Sequence, residues 1–512
     1  MVRLNTPLLI GILLLFAPRT SPAQQQAPSV TLDEVYQMVQ KQQQMIDSQN
    51  SQIEAQQQTI RDQNKAMQAL STRLDQLAQA QAQLMGTDVG APTKEQIVAR
   101  QQAESTQMPT SVNTNSKPAD VLQQEDFPGS IRIPGTNMAA KTGGFVRVGL
   151  VSNFAPIGSD DRFIVGTIPV PGEDDTTDDT QLSGVNISAK RSRLNLDMRM
   201  DSSVGQFRAY TEGDFATNVD GSDVFRLRQA FGQYNRFILG QTWTTFMDLD
   251  AEPEELDFEG LNSEIIERHP ILRWTKGLGN RRTVALALED PEVEIANGEG
   301  KSNTADFVSN VKIQKDWGHV QLAAVLRDLA GEETIEVNDG DTSNEITRSG
   351  STFGWGLSLS GKYLLTGHTR SDNLKFQLVF GEGIGRYIND LSSVGGQDAV
   401  FSPDGKLDAI PAIGGYLAFQ KYWKRDPTAV FGFKGLLKDL RSTVVYGLVD
   451  LDNFDFQPSS AYKRTQRASA NLIWSPLKQI DLGLEFLWGS REDKSGNKGT
   501  ASQLQIVATF FF

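Results

Sequence analysis

Arginine side chains occupy alternate positions in several segments of this chain, and an acidic stretch follows one of them. Arg226 and Arg228 fall on one face of a predicted strand. Phe225, Leu227 and Phe231 fall on the opposite face, because successive strand residues point to opposite sides. A guanidinium group keeps its charge and binds a carboxylate through two parallel hydrogen bonds. The chemistry that this pattern predicts is anion recognition in water beside an apolar surface.

The same alternation predicts arginines on the polar faces of other strands. Arg193 and Arg199, for example, alternate with Leu194 and Met198. An arginine that faces lipid at mid-membrane costs about 2–4 kcal/mol, so the wet side of a membrane strand is favoured. The arginines predicted to line a lumen are Arg191, Arg193, Arg199, Arg208, Arg226, Arg228, Arg273 and Arg467.

The stretch after Trp243 carries carboxylates and no basic residue until Arg268. A loop of this length can fold inward and narrow a channel. Its predicted constriction acids are Asp248, Asp250, Glu252, Glu254 and Glu255. Carboxylates opposite guanidiniums would create a transverse field that orders water and favours anions. A second interpretation stays open, in which the arginines pair with lumen acids such as Asp197 and Glu212 and brace the wall.

Residues for catalysis or metal binding are few. Cysteine is absent, and the three histidines, His269, His319 and His368, lie outside any nucleophile motif. We therefore predict no enzyme, no catalytic residue, no cofactor and no metal site. The net charge of −14 argues against a nucleic-acid partner.

Sixteen segments of strand length, from residue 143 to the C-terminus, must position these side chains. Their connections alternate between short and long, as in outer-membrane barrels, and no apolar run reaches the roughly 20 residues of a spanning helix. Two of the strands are predicted at 319–328 and 351–364. The predicted fold is all-β and transmembrane: a 16-stranded antiparallel outer-membrane β-barrel preceded by an N-terminal α-helical coiled coil.

Acidic runs at Glu173–Asp179, Glu289–Glu294 and Glu332–Asp341 fall in predicted outer loops. Bridging cations could tie them to lipopolysaccharide phosphates, and solvation alone also explains them. At the other end of the chain, the alternating last strand finishes on Phe512. We assign Phe510 and Phe512 to the signal by which barrel-assembly machinery recognises its substrates, against the alternative of an ordinary amphipathic edge strand.

The segments before the barrel differ in composition. Residues 1–23 predict a secretory signal peptide, with a short apolar core and a small-residue cleavage site. Residues 24–85 keep a seven-residue apolar step and predict a periplasmic coiled coil that fits a trimer at least as well as a dimer. A glutamine-rich disordered stalk is the alternative. Residues 86–125 predict a flexible linker, and residues 126–512 the porin domain.

Three motifs resemble those of the DcaP-like porins, the dicarboxylic-acid channels of Gram-negative outer membranes. They are Phe127–Thr136 leading into Gly143–Val146, Phe225–Gly232, and Gly240–Asp248. The resemblance implies a homotrimer of sixteen-stranded barrels, a periplasmic coil and uptake of small dicarboxylic or aromatic acids. It also implies a basic channel lining at Arg191, Arg193, Arg208, Arg226 and Arg228. The long connection Lys424–Asp439 departs from the short turn expected there.

We therefore expect a passive outer-membrane diffusion channel for small organic anions. Its expected partners are outer-membrane lipid, lipopolysaccharide and further copies of itself, and contact of the coil with peptidoglycan stays open. A sugar or general porin is one alternative, and it should show a ladder of aromatic rings along the lumen. A barrel that merely anchors a tether to the cell wall is another, and it predicts a plugged lumen.

Overall fold

A computed structural model describes seven parts of the chain: residues 127–171, 184–217, 223–302, 304–339, 342–365, 371–423 and 439–512. The predicted signal peptide, coiled coil and linker lie outside the described residues. So do the acidic run Glu173–Asp179 and residues 424–438 of the unexpectedly long connection.

Sixteen long strands form the wall of the molecule. In chain order they are β1 Met138–Asn153, β2 Arg193–Ser202, β3 Gly205–Thr217, β4 Asp223–Tyr234, β5 Phe237–Trp243, β6 Arg268–Gly277, β7 Arg282–Glu289, β8 Asp306–Lys315, β9 Gly318–Asp339, β10 Thr342–Leu364, β11 Asn373–Glu382, β12 Pro411–Tyr422, β13 Leu440–Leu451, β14 Tyr462–Leu477, β15 Ile480–Asp493 and β16 Lys498–Phe511. Each strand pairs antiparallel with the next, and β16 returns to β1. The predicted closed, sixteen-stranded antiparallel barrel is confirmed.

Side chains alternate between an apolar outer face and a mainly polar interior. In β15, Leu484 and Phe486 are exposed on the outside, whereas Glu485 between them is fully buried. A water-soluble sheet would place these faces the other way round. Apolar residues exposed on the outside of a closed barrel indicate lipid as the surrounding solvent.

The β9–β10 hairpin is longer than predicted. The acidic run expected as a loop continues both strands, with Glu332 opposite Ser349 and Glu336 opposite Glu345. The prediction failed because the extension is rich in charged and polar residues, and its few apolar ones, such as Ile335 and Ile346, were too few to reveal the alternation.

A β-bulge at Arg228 reverses the facing of the end of β4. Glu212 of β3 lies opposite Gln229, but the next residue, Gly213, lies opposite Leu227, so Arg228 is an extra residue. The predicted outward position of Phe231 is therefore wrong, and its ring is buried inside the barrel. One extra residue in a strand moves every later side chain to the other face.

Three loops fold into the barrel: residues 154–171, 244–267 and 383–410. The last contains the short helix α1, Asn389–Val394, and a small hairpin of Ala399–Phe401 with Leu407–Ala409. The largest buried apolar cluster lies where the second and third loops meet the wall, around Phe246, Ile265 and Tyr387. Among the described residues, no helix is long and apolar enough to cross a membrane.

Candidate functional site

The acidic loop, residues 244–267, leaves β5 and runs along the inner side of the wall. Glu289 fixes its start, since this carboxylate accepts hydrogen bonds from the Thr244 hydroxyl (2.6 Å) and the Thr245 backbone (2.7 Å). His269 contacts the same carboxylate at 2.7 Å. Glu289 is therefore a buried anchor at the end of β7, although the acidic run around it predicted a solvated outer loop.

Asp248 and Asp250 turn away from the arginines of β2 to β4. Both pair with Lys312 of β8, at 2.9 and 2.6 Å, and Asp248 also contacts His319 at 2.8 Å. Burial opposes ionisation of Asp248, but its contacts with His319 and Lys312 outweigh burial and hold its pKa below the ordinary range. These two predicted constriction acids attach the loop to the wall.

Glu254 and Glu255 pair with bases farther along the same wall. Glu254 binds Arg441 at 2.6 Å, and Glu255 binds Arg467 at 3.2 Å. Arg467 also contacts Asp257 at 3.1 Å. The wall thereby offsets part of the negative charge that the sequence places on the loop.

Glu252 is the predicted loop acid that differs from these four. Its Oε2 atom is buried without a hydrogen-bond partner. Burial raises the pKa of the Glu252 carboxyl to about 7, against the pull of Lys375 and Arg193. Its charge therefore changes in the neutral pH range.

The loops after β1 and before β12 hold the acidic loop from its outer side. Arg162 and Ser393 both contact the Glu259 carboxylate at 2.7 Å. Asp390 of α1 accepts a hydrogen bond from the Gly166 backbone at 2.7 Å. The three inward loops thus contact one another, which limits the positions open to the acidic loop.

The arginines of β2 to β4, and Arg191 just before β2, each have a carboxylate partner. Arg191 binds Asp161 through two hydrogen bonds of 3.0 and 3.1 Å, and Arg193 lies 3.2 Å from Glu212. Further along the wall, the pairs are Arg208 with Asp197 (3.0 Å), and Arg226 (2.9 Å) and Arg228 (2.7 Å) with the shared Asp214. Ion pairs of the kind that the bracing interpretation names, between lumen arginines and Asp197 or Glu212, are therefore present.

The remaining arginines predicted for the lumen lie elsewhere. Arg199 is half-exposed near the β2–β3 turn, where its guanidinium lies 4.0 Å from the centre of the Phe127 ring. Arg273 is buried, and its Nη1 donates to the Trp243 carbonyl at 3.4 Å. Arg467 is fully buried beneath the acidic loop. Of these three, Arg199 lies next to an arginine of β3, because Arg199 and Arg208 both bind Asp197, at 2.9 and 3.0 Å.

Phe258 is the central residue that the sequence analysis missed. Four guanidinium carbons lie within 6 Å of its ring centre: Arg228 at 5.1 Å, Arg191 at 5.3 Å, Arg193 at 5.4 Å and Arg147 at 5.9 Å. We call these four residues the arginine cluster. Alternation with Val146 and Val148 in β1 could have revealed Arg147, but no local pattern distinguishes Phe258 within the loop.

Two cavities adjoin the arginine cluster. A cavity of about 280 Å³, towards the short turns, is lined by Arg147, Arg193, Arg228, Glu252, Phe258 and Lys375, among others. A larger cavity of about 710 Å³, towards the long loops, includes Arg191 and Arg226 in its lining. Guanidinium groups of the arginine cluster thus line both cavities, where they can attract an anion.

The final strand closes the barrel. Phe510 and Phe512 are exposed on the outer face. The backbone of Phe512 exchanges two hydrogen bonds of 3.2 Å with Gly144 of β1. In the described parts of the chain, no group of three or more acidic or histidine side chains could hold a metal ion.

A closed sixteen-stranded barrel, apolar outside and narrowed inside by an inward loop, defines the class: a porin-type channel of the outer membrane. The family model described as DcaP outer membrane protein matches residues 78–512. The chain belongs to the DcaP outer membrane protein family.

One solved structure, a channel of the same family, agrees with this assignment at the level of fold. The outer membrane channel DcaP of Acinetobacter baumannii is 18% identical, with a TM-score of 0.60 over 75% of this chain and 100% of that one. OmpT of Vibrio cholerae is 12% identical, with a TM-score of 0.44 over 74% and 99%. OmpF of Salmonella typhi is 10% identical, with a TM-score of 0.42 over 75% and 100%. No match was found among curated proteins.

Proposed function

We propose that this outer-membrane channel passes small organic anions, such as dicarboxylic or aromatic acids. The observation that supports this most directly is the charge around the constriction. Four arginines there share ion pairs with three carboxylates: Arg191, Arg193, Arg226 and Arg228 with Asp161, Glu212 and Asp214. Arg147 donates instead to the Leu256 backbone carbonyl.

The acidic loop cancels this surplus of positive charge only in part. Asp248, Glu254 and Glu255 pair with Lys312, Arg441 and Arg467, respectively, which are not part of the arginine cluster. These acids therefore offset the charge of the arginine cluster less than their number suggests. A fixed positive site in a narrow, partly desolvated passage attracts anions and repels cations. The proposal therefore rests on the arginine cluster and not on the charge of the whole chain, which is −14.

The same proposal includes the remaining organisation of the chain. Residues 1–23 are cleaved as a signal peptide, 24–85 form a periplasmic coiled coil, 86–125 are a linker, and 126–512 form the porin domain. Three copies assemble in the membrane, surrounded by lipid and lipopolysaccharide, and Phe510 with Phe512 guides barrel assembly. Peptidoglycan is a candidate partner of the coil.

Reversal potentials in planar bilayers test the proposed substrate class. With a gradient of potassium chloride, and then of potassium succinate, the sign of the potential should show preference for the anion. A neutral sugar should compete poorly with succinate for passage. Preference for potassium would contradict the proposal, blockage by sugar would favour the sugar or general porin, and a sealed lumen would favour the tether.

A further inference from the structure

Phe258 is held rigidly because both of its neighbours are fixed. Asp257 accepts hydrogen bonds from the Phe163 backbone (3.3 Å) and from Gln505 (2.9 Å). On the other side, Glu259 is bound by Arg162 and Ser393, each at 2.7 Å. Asp257 and Glu259 thus hold the loop on both sides of a ring that reaches the arginine cluster.

The ring occupies the space that the four guanidiniums surround. Arginines attract an aromatic face through its negative quadrupole, and carbon-to-centroid distances of 5.1–5.9 Å lie within the range of this interaction. Three of the four also hold their own carboxylates, which fixes the directions of their remaining N–H groups. The phenyl ring of Phe258, which has no N–H donor, therefore occupies the space at the centre of the cluster.

This position also lies beside residues that line both cavities. Phe258 lines the smaller one together with Arg193 and Arg228, and it contacts Arg191, which lines the larger one. A solute that moves from one cavity to the other along the arginine cluster would therefore come close to the ring.

We propose that Phe258 determines which anions the channel prefers, an inference that rests on the proposed function. A small hydrated anion such as chloride needs several N–H donors to replace the water that it loses in the channel. At the centre of the cluster it would contact the Phe258 ring instead, which has no N–H group. A carboxylate on a flat apolar body can lie against the ring while its oxygens reach the guanidiniums. The preferred solutes are thus carboxylates with flat, apolar bodies.

The experiment compares benzoate with chloride in planar bilayers, using the full-length protein. In Phe258→Ala, the benzoate-to-chloride permeability ratio should fall about threefold, the size expected for loss of one aromatic contact. Chloride conductance should rise at the same time, because the ring no longer fills the space. Preference for anions over potassium should remain, because the arginines are unchanged.

Two further variants make the result decisive. Phe258→Leu keeps an apolar group of similar size and should also lower the benzoate-to-chloride ratio, with a smaller rise in chloride conductance. Phe353→Ala, which removes a ring from the outer face of β10, should behave as wild type. A wild-type ratio in Phe258→Ala, or in Phe258→Leu if the alanine variant does not fold, overturns the inference. Loss of anion preference in the wild-type channel would instead overturn the proposed function.

Discussion

Arg467 of β14 and Asp257 of the acidic loop form an ion pair at 3.1 Å, and both side chains are completely buried. Arg467 also contacts Glu255 and the backbone carbonyl of Gly260. An arginine on the polar face of a strand thus serves to hold the constriction loop against the wall. Position on a strand face distinguishes lipid from lumen, but it does not distinguish a side chain that meets solute from one that a loop covers.

Replacing Arg467 with methionine should destabilise the barrel by about 3–5 kcal/mol, because Asp257 and Glu255 would stay buried without their cation. Urea unfolding of the protein in detergent would measure this. Arg464→Met is the matched control on the same strand. Its pair with Asp450 is more exposed, so a change of about 0–1 kcal/mol is expected. Equal losses in both variants would contradict the anchoring role.

Arg226→Glu combined with Arg228→Glu should reduce or invert the preference for anions. The two changes reverse charges that share Asp214 beside the constriction. We expect the anion-to-cation permeability ratio to fall about tenfold, which corresponds to about 1.4 kcal/mol and is modest for unit charges near a protein surface. Reversal potentials give this ratio directly. Arg281→Glu, at the exposed turn before β7, is the control, and unchanged selectivity in the double variant would remove both arginines from this role.

Lowering the pH from 8 to 6 should increase the preference for anions. Burial raises the pKa of Glu252 to about 7, so its carboxyl is mainly charged at pH 8 and mainly neutral at pH 6. Protonation removes one negative charge beside the arginine cluster. Glu252→Gln should therefore show the higher preference already at pH 8 and a smaller dependence on pH.

The control for this pH effect is Glu254→Gln. Burial opposes ionisation of Glu254, but Arg441 outweighs it and holds the pKa of that carboxyl below its ordinary range. Its charge does not change between pH 6 and 8, so the pH response should persist in this variant. A response that survives unchanged in Glu252→Gln would assign the titration to another group.

Deleting residues 24–85 should leave the conductance of a folded barrel nearly intact. The three inward loops and the arginine cluster are all built from residues within 127–512, the part of the chain that the barrel comprises. The deletion should instead weaken association of the copies, which native gel migration at rising temperature would detect. If the purified, folded barrel lost its conductance, the coil would have to be part of the passage.

Sequence alone predicted the number and order of the strands and the lipid-facing side of most of them. It could do so because a strand with lipid on one face and water on the other must alternate apolar and polar side chains with a period of two residues. The same reasoning failed at the end of β4, where the bulge at Arg228 turns Phe231 inward, and in the polar extension of the β9–β10 hairpin.

The contents of the lumen needed the tertiary structure. Asp248, Glu254 and Glu255 are simply acids in a loop until folding places them beside Lys312, Arg441 and Arg467. The role that we propose for Phe258 likewise depends on arginines up to 111 positions away in the chain. Alternation is imposed by the solvent on each strand separately, so a sequence displays it locally. The contacts across the lumen depend on which distant segments a folded loop meets, and that is decided only when the barrel closes around it.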